Sequence, residues 1–225
     1  MTAGVNQGLE LWPEAMPAKQ LFILLHGVGG QASDMLPLVG RFKHEFPQAG
    51  FFLAAGTFPY DGGGDGRQWY SNYKITDESR ALRIAEQIST LHELVRYAQQ
   101  KFNVLQTDTA LVGFSQGASM ALQYCIQHDG QVGRALVIAG RLTVTPDKAP
   151  ELTTIHLLHG DTDKVVTASH AQLAFECLQQ IEGDVTLDVL PATAHEINLA
   201  VTECAIHRLK TTIPKRSWLL AMKSA

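Results

Sequence analysis

Ala110-Leu111-Val112-Gly113-Phe114-Ser115-Gln116-Gly117-Ala118-Ser119-Met120-Ala121-Leu122 reads as an apolar strand, a sharp turn, and a helix of small and apolar residues. A serine on so tight a strand-to-helix turn needs small neighbours two positions before and after it, where strand and helix approach each other. Gly113 and Gly117 meet that need. Such a turn lifts the Ser115 hydroxyl above the sheet edge, and the first helical amides point to where negative charge develops on an attacked carbonyl. Ser115 is therefore the candidate nucleophile. The G-x-S-x-G pattern alone also fits an ordinary glycine-rich connection, so the flanking segments must decide.

Upstream, Gln20-Leu21-Phe22-Ile23-Leu24-Leu25 is a continuous apolar run, the mark of a strand covered on both faces, and it ends in His26-Gly27-Val28-Gly29-Gly30. Glycines at the carboxyl end of a parallel strand free backbone amides to face a ligand oxygen. Val28 N–H and Gln116 N–H are the candidate oxyanion donors. A dinucleotide fingerprint is the rival reading, but G-V-G-G-Q lacks the full G-x-G-x-x-G form and no P-loop Lys-Ser/Thr follows.

Downstream, Arg134–Ala139 and Thr154–Leu158 read as two further buried strands. The connection from Gly140 to Thr153 is too short for the helical lid that many lipases carry there, which implies an open, shallow site without interfacial activation. His159-Gly160-Asp161-Thr162-Asp163 follows the second of these strands and puts two carboxylates at the carboxyl edge. A helix over about 167–181 leads to Val185–Leu190, which alternates with a period of two as a strand near the sheet edge does. Pro191 to Ala194 then deliver His195, and Glu196-Ile197 opens a last helix ending near Pro214. Serine, aspartate and histidine in that chain order match the triad of an α/β hydrolase. His195 is the candidate base; Asp161 and Asp163 compete to orient it.

The rest of the chain frames these segments. Gly8–Trp12 reads as a leading edge strand, Ser33 as the N-cap of a helix running to Glu45, and Phe51–Ala54 as another strand. Gly56 to Lys74 reads as a long, mobile surface loop. Its Asp61 and Asp65 among glycines do not match a calcium-binding EF-hand loop. Trp69 and Tyr70 on this loop either anchor it to the core or line an acyl pocket. From Thr76 to Phe102 an apolar stripe marks a covering helix, with His92 at its surface or core edge.

At 225 residues, 45% hydrophobic and 18% charged, the chain suits a single α/β domain over residues 1–225. A net charge of -4 gives no electrostatic reason for a nucleic-acid or anionic-membrane partner, so a small molecule is the expected one. No signal-peptide pattern and no bilayer-length apolar stretch is present, which points to the cytoplasm and against stable membrane insertion. Cys125, Cys177 and Cys204 fall in three separate predicted helices without C-x-x-C spacing, so they read as buried structural thiols rather than as a disulfide or zinc site.

Six blocks carry a resemblance over most of the chain: H-G-V-G from His26, G-R-Q-W from Gly66, G-F-S-Q-G-A-S-M-A-L from Gly113, T-T-I-H-L-L-H-G from Thr153, G-D-V-T-L-D from Gly183 and T-I-P-K from Thr212. The chain resembles the phospholipase/carboxylesterase family of α/β hydrolases, which includes acyl-protein thioesterases. The resemblance implies an α/β-hydrolase fold with a mostly parallel sheet, helices on both faces and no cap domain. It further implies a serine carboxylesterase acting on a small ester or thioester, with no cofactor and no metal. Ser115 would be nucleophile, His195 base and Asp163 the acid, with the amides of Val28 and Gln116 as oxyanion hole. Two departures bear on acyl preference: H-G-V-G-G-Q replaces the H-G-x-G-D form of the thioesterases, and T-A rather than G-H precedes His195. The rival activities, a protein thioesterase or lysophospholipase, need a longer apolar groove. A catalytically silent binding scaffold would be expected to have lost a triad member.

Overall fold

The computed structural model describes residues 8–223. In chain order the elements are β1 (Gly8–Leu11), β2 (Gln20–Leu25), α1 (Leu36–Glu45), β3 (Ala49–Ala54), β4 (Phe58–Pro59), β5 (Arg67–Gln68), α2 (Asp77–Phe102), β6 (Thr109–Phe114), α3 (Gln116–Gln127), β7 (Arg134–Ile138), β8 (Thr154–Gly160), α4 (Ser169–Gln180), β9 (Val185–Leu190), α5 (Leu199–Thr211) and α6 (Lys215–Lys223). Seven strands form one sheet in the order β1-β3-β2-β6-β7-β8-β9, and β4 pairs with β5 in a separate two-stranded ribbon. Every neighbouring pair in the large sheet is parallel except β1, which runs antiparallel to β3 at the edge. This is the α/β-hydrolase type of architecture that the family resemblance implied.

Successive strand side chains point to opposite faces, and that alternation sorts the core into two layers. Leu21, Ile23, Leu25, Leu111, Ala135 and Val137 pack with α2, α3 and α4 on one face. Phe22, Leu24, Ala110, Val112, Leu136 and Ile138 pack with α1 and α5 on the other. Burial on both faces is why these strands read as continuous apolar runs. The chain winds outward from β2 to β3 and then in the other direction from β6 to β9, so the strand order reverses between β2 and β6. Leu25 pairs with Gly113 there, and the turns that follow both strands adjoin at the carboxyl edge, where open α/β sheets place their sites.

Several boundaries differ from expectation. Ser33 is not an N-cap: a 3₁₀ turn over Ala32–Met35 precedes α1, and the Asp34 carboxylate accepts the Gln31 amide at 2.9 Å. Helix α5 starts three residues after Glu196, because the Asn198 side chain accepts from Val201 N–H at 3.0 Å and caps it there. It stops before Pro214, which offers no amide, and a further helix, α6, follows. The segment over 56–74 is held rather than loose, since it contains the β4–β5 ribbon and an antiparallel bridge from Arg67 to Gly30. Of the cysteines, Cys125 is buried on α3, but Cys177 and Cys204 are only half-buried. Among the described residues no helix is long and apolar enough to cross a membrane.

Candidate active site

Between β6 and α3, Ser115 adopts φ 53° and ψ −112°, a region that side chains with a Cβ rarely enter. Its neighbours make the turn possible. A Cβ on Gly113 would lie 2.3 Å from the Gly117 carbonyl oxygen, and one on Gly117 would lie 2.3 Å from that of Leu25. Ser115 N–H donates to Ile138 O at 2.9 Å, while Ser115 O accepts from the amides of Ala118 and Ser119, each at 3.1 Å. The serine is therefore pinned by β7 on one side and the first turn of α3 on the other.

His195 joins this turn to the end of β8. Its Nε2 lies 2.8 Å from Ser115 Oγ and its Nδ1 2.7 Å from Asp163 Oδ2. The second Asp163 oxygen accepts the amides of Val165 and Val166 at 2.8 and 2.9 Å. Burial pushes the Asp163 carboxyl upward, but the hydrogen bond from His195 and the two amides outweigh it and hold the group below the usual carboxylate range. An ionised Asp163 accepts a hydrogen bond from His195 Nδ1–H, which leaves Nε2 free to accept from the Ser115 hydroxyl. Asp161 is exposed and takes instead the Thr193 amide at 3.4 Å. With Thr162 Oγ1 donating to Thr193 O at 2.8 Å, it lays the loop before His195 onto the end of β8.

The amides of Val28 and Gln116 donate to no other described backbone or side-chain group. Their turns touch: a Cβ on Gly27 would lie 3.4 Å from Cβ of Ser115. The turn over 26–30 is held from outside. Gly29 N–H donates to Arg67 O and Arg67 N–H to Gly30 O, both at 2.8 Å, and a Cβ on Gly66 would strike the Gly29 carbonyl at 2.3 Å. The Trp69 indole N–H donates to His26 O at 2.8 Å, and Trp69 N–H to the Gln116 side-chain oxygen at 2.8 Å. Gln116 Nε2 donates in turn to Tyr70 O at 2.8 Å. Trp69 thus braces both turns at once.

Trp69 and Tyr70 are 2% and 3% exposed and belong to the core beside α2 and α3. Neither lines the cleft at His195; of the two roles left open for them, anchor or pocket wall, their contacts are those of an anchor. Three contributions went unread in the sequence: the Gln116 side chain, Arg67, and His26. His26 is fully buried, accepts Gly56 N–H on Nε2 at 2.9 Å and donates from Nδ1 to Gly27 O at 2.6 Å. Desolvation lowers its pKa and keeps it neutral in this role. The signal for this brace was the G-R-Q-W block, with long hydrogen-bonding side chains in a glycine loop.

Beside His195 lies a cleft of about 280 Å³, lined among others by Val28, Met35, Leu38, Phe114 and Ile197. Its size is near the lower end of small-molecule sites, and its walls are mostly apolar. Among the described residues no three histidine, cysteine or carboxylate side chains gather to hold a metal ion. The arrangement contains a hydroxyl facing an imidazole acceptor, a carboxylate behind that imidazole, and two backbone amides that donate to no described protein group. That set is suited to attack on a carbonyl carbon and to stabilising the resulting oxyanion.

Comparison with known proteins points to ester hydrolysis. The phospholipase/carboxylesterase family model matches residues 6–213. Esterase YpfH of Escherichia coli (strain K12) is 39% identical over 199 residues, covering 88% of this chain and 85% of that protein. Among solved structures, esterase PE8 superposes with a TM-score of 0.84 at 24% identity, over 92% of this chain and 98% of its own. The Bacillus cereus carboxylesterase superposes with a TM-score of 0.75 at 16% identity, over 89% and 92%. The two structural likenesses speak for the fold.

Proposed function

Because this chain belongs to the phospholipase/carboxylesterase family, we propose that it hydrolyses small carboxylic esters through an acyl-enzyme on Ser115. That it is an ester-hydrolysing enzyme follows from the family and from the esterase it resembles. The observation that carries the serine mechanism is the relay from Ser115 Oγ through His195 to Asp163, at 2.8 and 2.7 Å, beside a small cleft.

In this mechanism His195 Nε2 takes the hydroxyl proton as Ser115 Oγ attacks the carbonyl carbon. The oxyanion is received by Val28 and Gln116 N–H. As the tetrahedral intermediate collapses, His195 gives its proton to the leaving alcohol or thiol. Water, deprotonated by the same imidazole, then releases the acid and restores the serine. Asp163, ionised at neutral pH, keeps the imidazole in the required tautomer and balances the imidazolium. No helix lies between β7 and β8, which supports an open site without a lid. The cleft of about 280 Å³ favours short acyl groups over the long chains of a protein thioesterase or lysophospholipase. We place the enzyme in the cytoplasm, acting on a soluble small molecule.

Intact-mass spectrometry after fluorophosphonate treatment tests the nucleophile. One adduct is expected on the wild type and none on Ser115→Ala or His195→Ala; an unmodified wild type would overturn the reading. A series of 4-nitrophenyl esters from acetate to palmitate tests the cleft, and a strong preference for the long chains would overturn the short-acyl assignment.

A further inference from the structure

Three histidines are buried among the described residues, and two of them have polar partners on both ring nitrogens. His26 meets Gly56 N–H and Gly27 O, and His156 meets Thr186 and Arg134. The third, His159, lies instead against the Ser115 relay. Its Nδ1 is buried with no hydrogen-bond partner among the described residues, while Nε2–H donates to Val166 O at 2.7 Å. A carbonyl oxygen can only accept, so the hydrogen of this ring is on Nε2. The same Nε2 lies 3.3 Å from Asp163 Oδ2, the oxygen that accepts from His195 Nδ1.

His159 stands in β8, in register with Val189 of β9, so the sheet fixes its backbone. The residues that follow β8 leave the sheet, and Asp163 N–H reaches back to Gly160 O only at 3.4 Å. The shorter tie is the His159 ring on Val166 O. Val166 N–H donates in turn to Asp163 Oδ1 at 2.9 Å, which closes a circuit from the strand through the imidazole and Val166 to the carboxylate. Rotation of that carboxylate would strip buried groups of their partners, which is unfavourable. One oxygen is thus held by the amides of Val165 and Val166, and the other lies between His195 and the N–H edge of His159. That edge is electropositive, so it draws on the same negative charge that steadies a protonated His195. Beyond these groups, Arg141 is within electrostatic reach of Asp163, and His170 on α4 is within reach of His159.

We propose that His159 is a positioning residue for the esterase reaction: through Val166 it holds the Asp163 carboxylate on His195, and its N–H edge tempers the charge that carboxylate offers. This inference rests on the serine-esterase reading and deepens it. At 1% exposure His159 is out of reach of a substrate, so it acts through Asp163 alone.

The test compares His159→Met with His159→Gln, two side chains of similar length of which only the glutamine carries an N–H donor. Rates are referred to the Ser115 sites that a fluorophosphonate labels, so unfolded molecules drop out. A wild type that takes no label would overturn the serine reading, and this inference with it. With 4-nitrophenyl acetate, His159→Met is expected to lose about tenfold in kcat while KM changes by less than about twofold. The acid limb of its kcat/KM profile is expected to move to higher pH, because Asp163 then gives more of its charge to His195. His159→Gln is expected to recover most of both. With Ser115 labelled, the proposal is overturned by a kcat within about twofold of wild type in His159→Met, by an acid limb that does not rise, or by no recovery in His159→Gln. A lower Tm without these changes also overturns it, since it marks a role in stability alone. Nitrogen NMR of histidine-labelled wild type needs no variant to fold. The His159 hydrogen is expected on Nε2, and finding it on Nδ1 would overturn the clamp on Val166.

Discussion

The turn after β6 and the loop after β3 meet at one edge of the sheet and are stabilised in opposite ways. Ser115 takes its positive φ because Gly113 and Gly117, two positions away on either side, let strand and helix close on each other. The segment over 56–74 has no comparable local code. Its Trp69 is held by Gln116, 47 positions later, and itself holds His26, 43 positions earlier. The proposed nucleophile is thus presented by a short local device, while the alignment of the two proposed oxyanion donors depends on contacts far apart in sequence. Reactivity and alignment are accordingly separable by mutation.

Substitutions in the relay should have the largest effect. Ser115→Ala is expected to cost on the order of 10⁶ in turnover. Asp163→Asn should cost about 10⁴, through the wrong imidazole tautomer. Steady-state kinetics with a short 4-nitrophenyl ester checks both, and a crippled Asp161→Asn beside a mild Asp163→Asn would reverse the acid assignment.

Next comes the local device itself. Gly117→Ala drives a Cβ to within 2.3 Å of Leu25 O, and a destabilisation of about 3 kcal/mol in urea unfolding is expected. A neutral result would show that the turn relaxes more easily than its contacts imply.

The distributed brace should yield less. Trp69→Phe keeps the buried ring but removes the donor to His26 O, so a loss of about 1 kcal/mol in stability and about tenfold in kcat is expected, with KM little changed. Unchanged kcat would detach the brace from the oxyanion donors.

Acid offers the smallest and most general probe. His156 in β8 lies between Thr186 and Arg134, and burial followed by the charge of Arg134 pushes its pKa down to about 3. The unfolded chain takes up this proton near pH 6.5, so the stability contribution is whole above that value and is lost progressively as pH falls toward 3. His26 contributes with the same sign, because its lowered pKa keeps Nε2 available to Gly56 N–H. Thermal melts should show Tm declining below pH 6.5, with a shallower decline in His156→Gln. An identical slope in that variant would assign the acid sensitivity elsewhere.

The elbow and the buried strands were legible because their signals are short-range: two glycines around a serine, and apolar runs bounded by turns. His195 was legible as the histidine on the loop after β9. Asp161 and Asp163 could not be separated from the residues alone, since both follow β8 and differ only in which way the turn sends them. Asp163 turns inward to Val165, Val166 and His195, while Asp161 turns out toward Thr193. Strands β4 and β5 are two residues long, too short to show a period, and their pairing is secured by the bridge to Gly30. Cys177 and Cys204 were expected inside because cysteine usually is, but their helix faces leave them half-covered.

By itself the sequence determined which segments become the seven strands of the main sheet and helices α1 to α5, where the serine turn lies, and in what order serine, carboxylates and histidine reach the sheet edge. Those properties depend on side-chain periodicity and on glycines within a few residues. Only the tertiary structure decided which aspartate meets His195, and that Trp69 ties the turn at His26 to the Gln116 side chain. Each of these depends on groups from different strands and helices arriving at one place, and hydrogen bonds and charges act through space rather than along the chain.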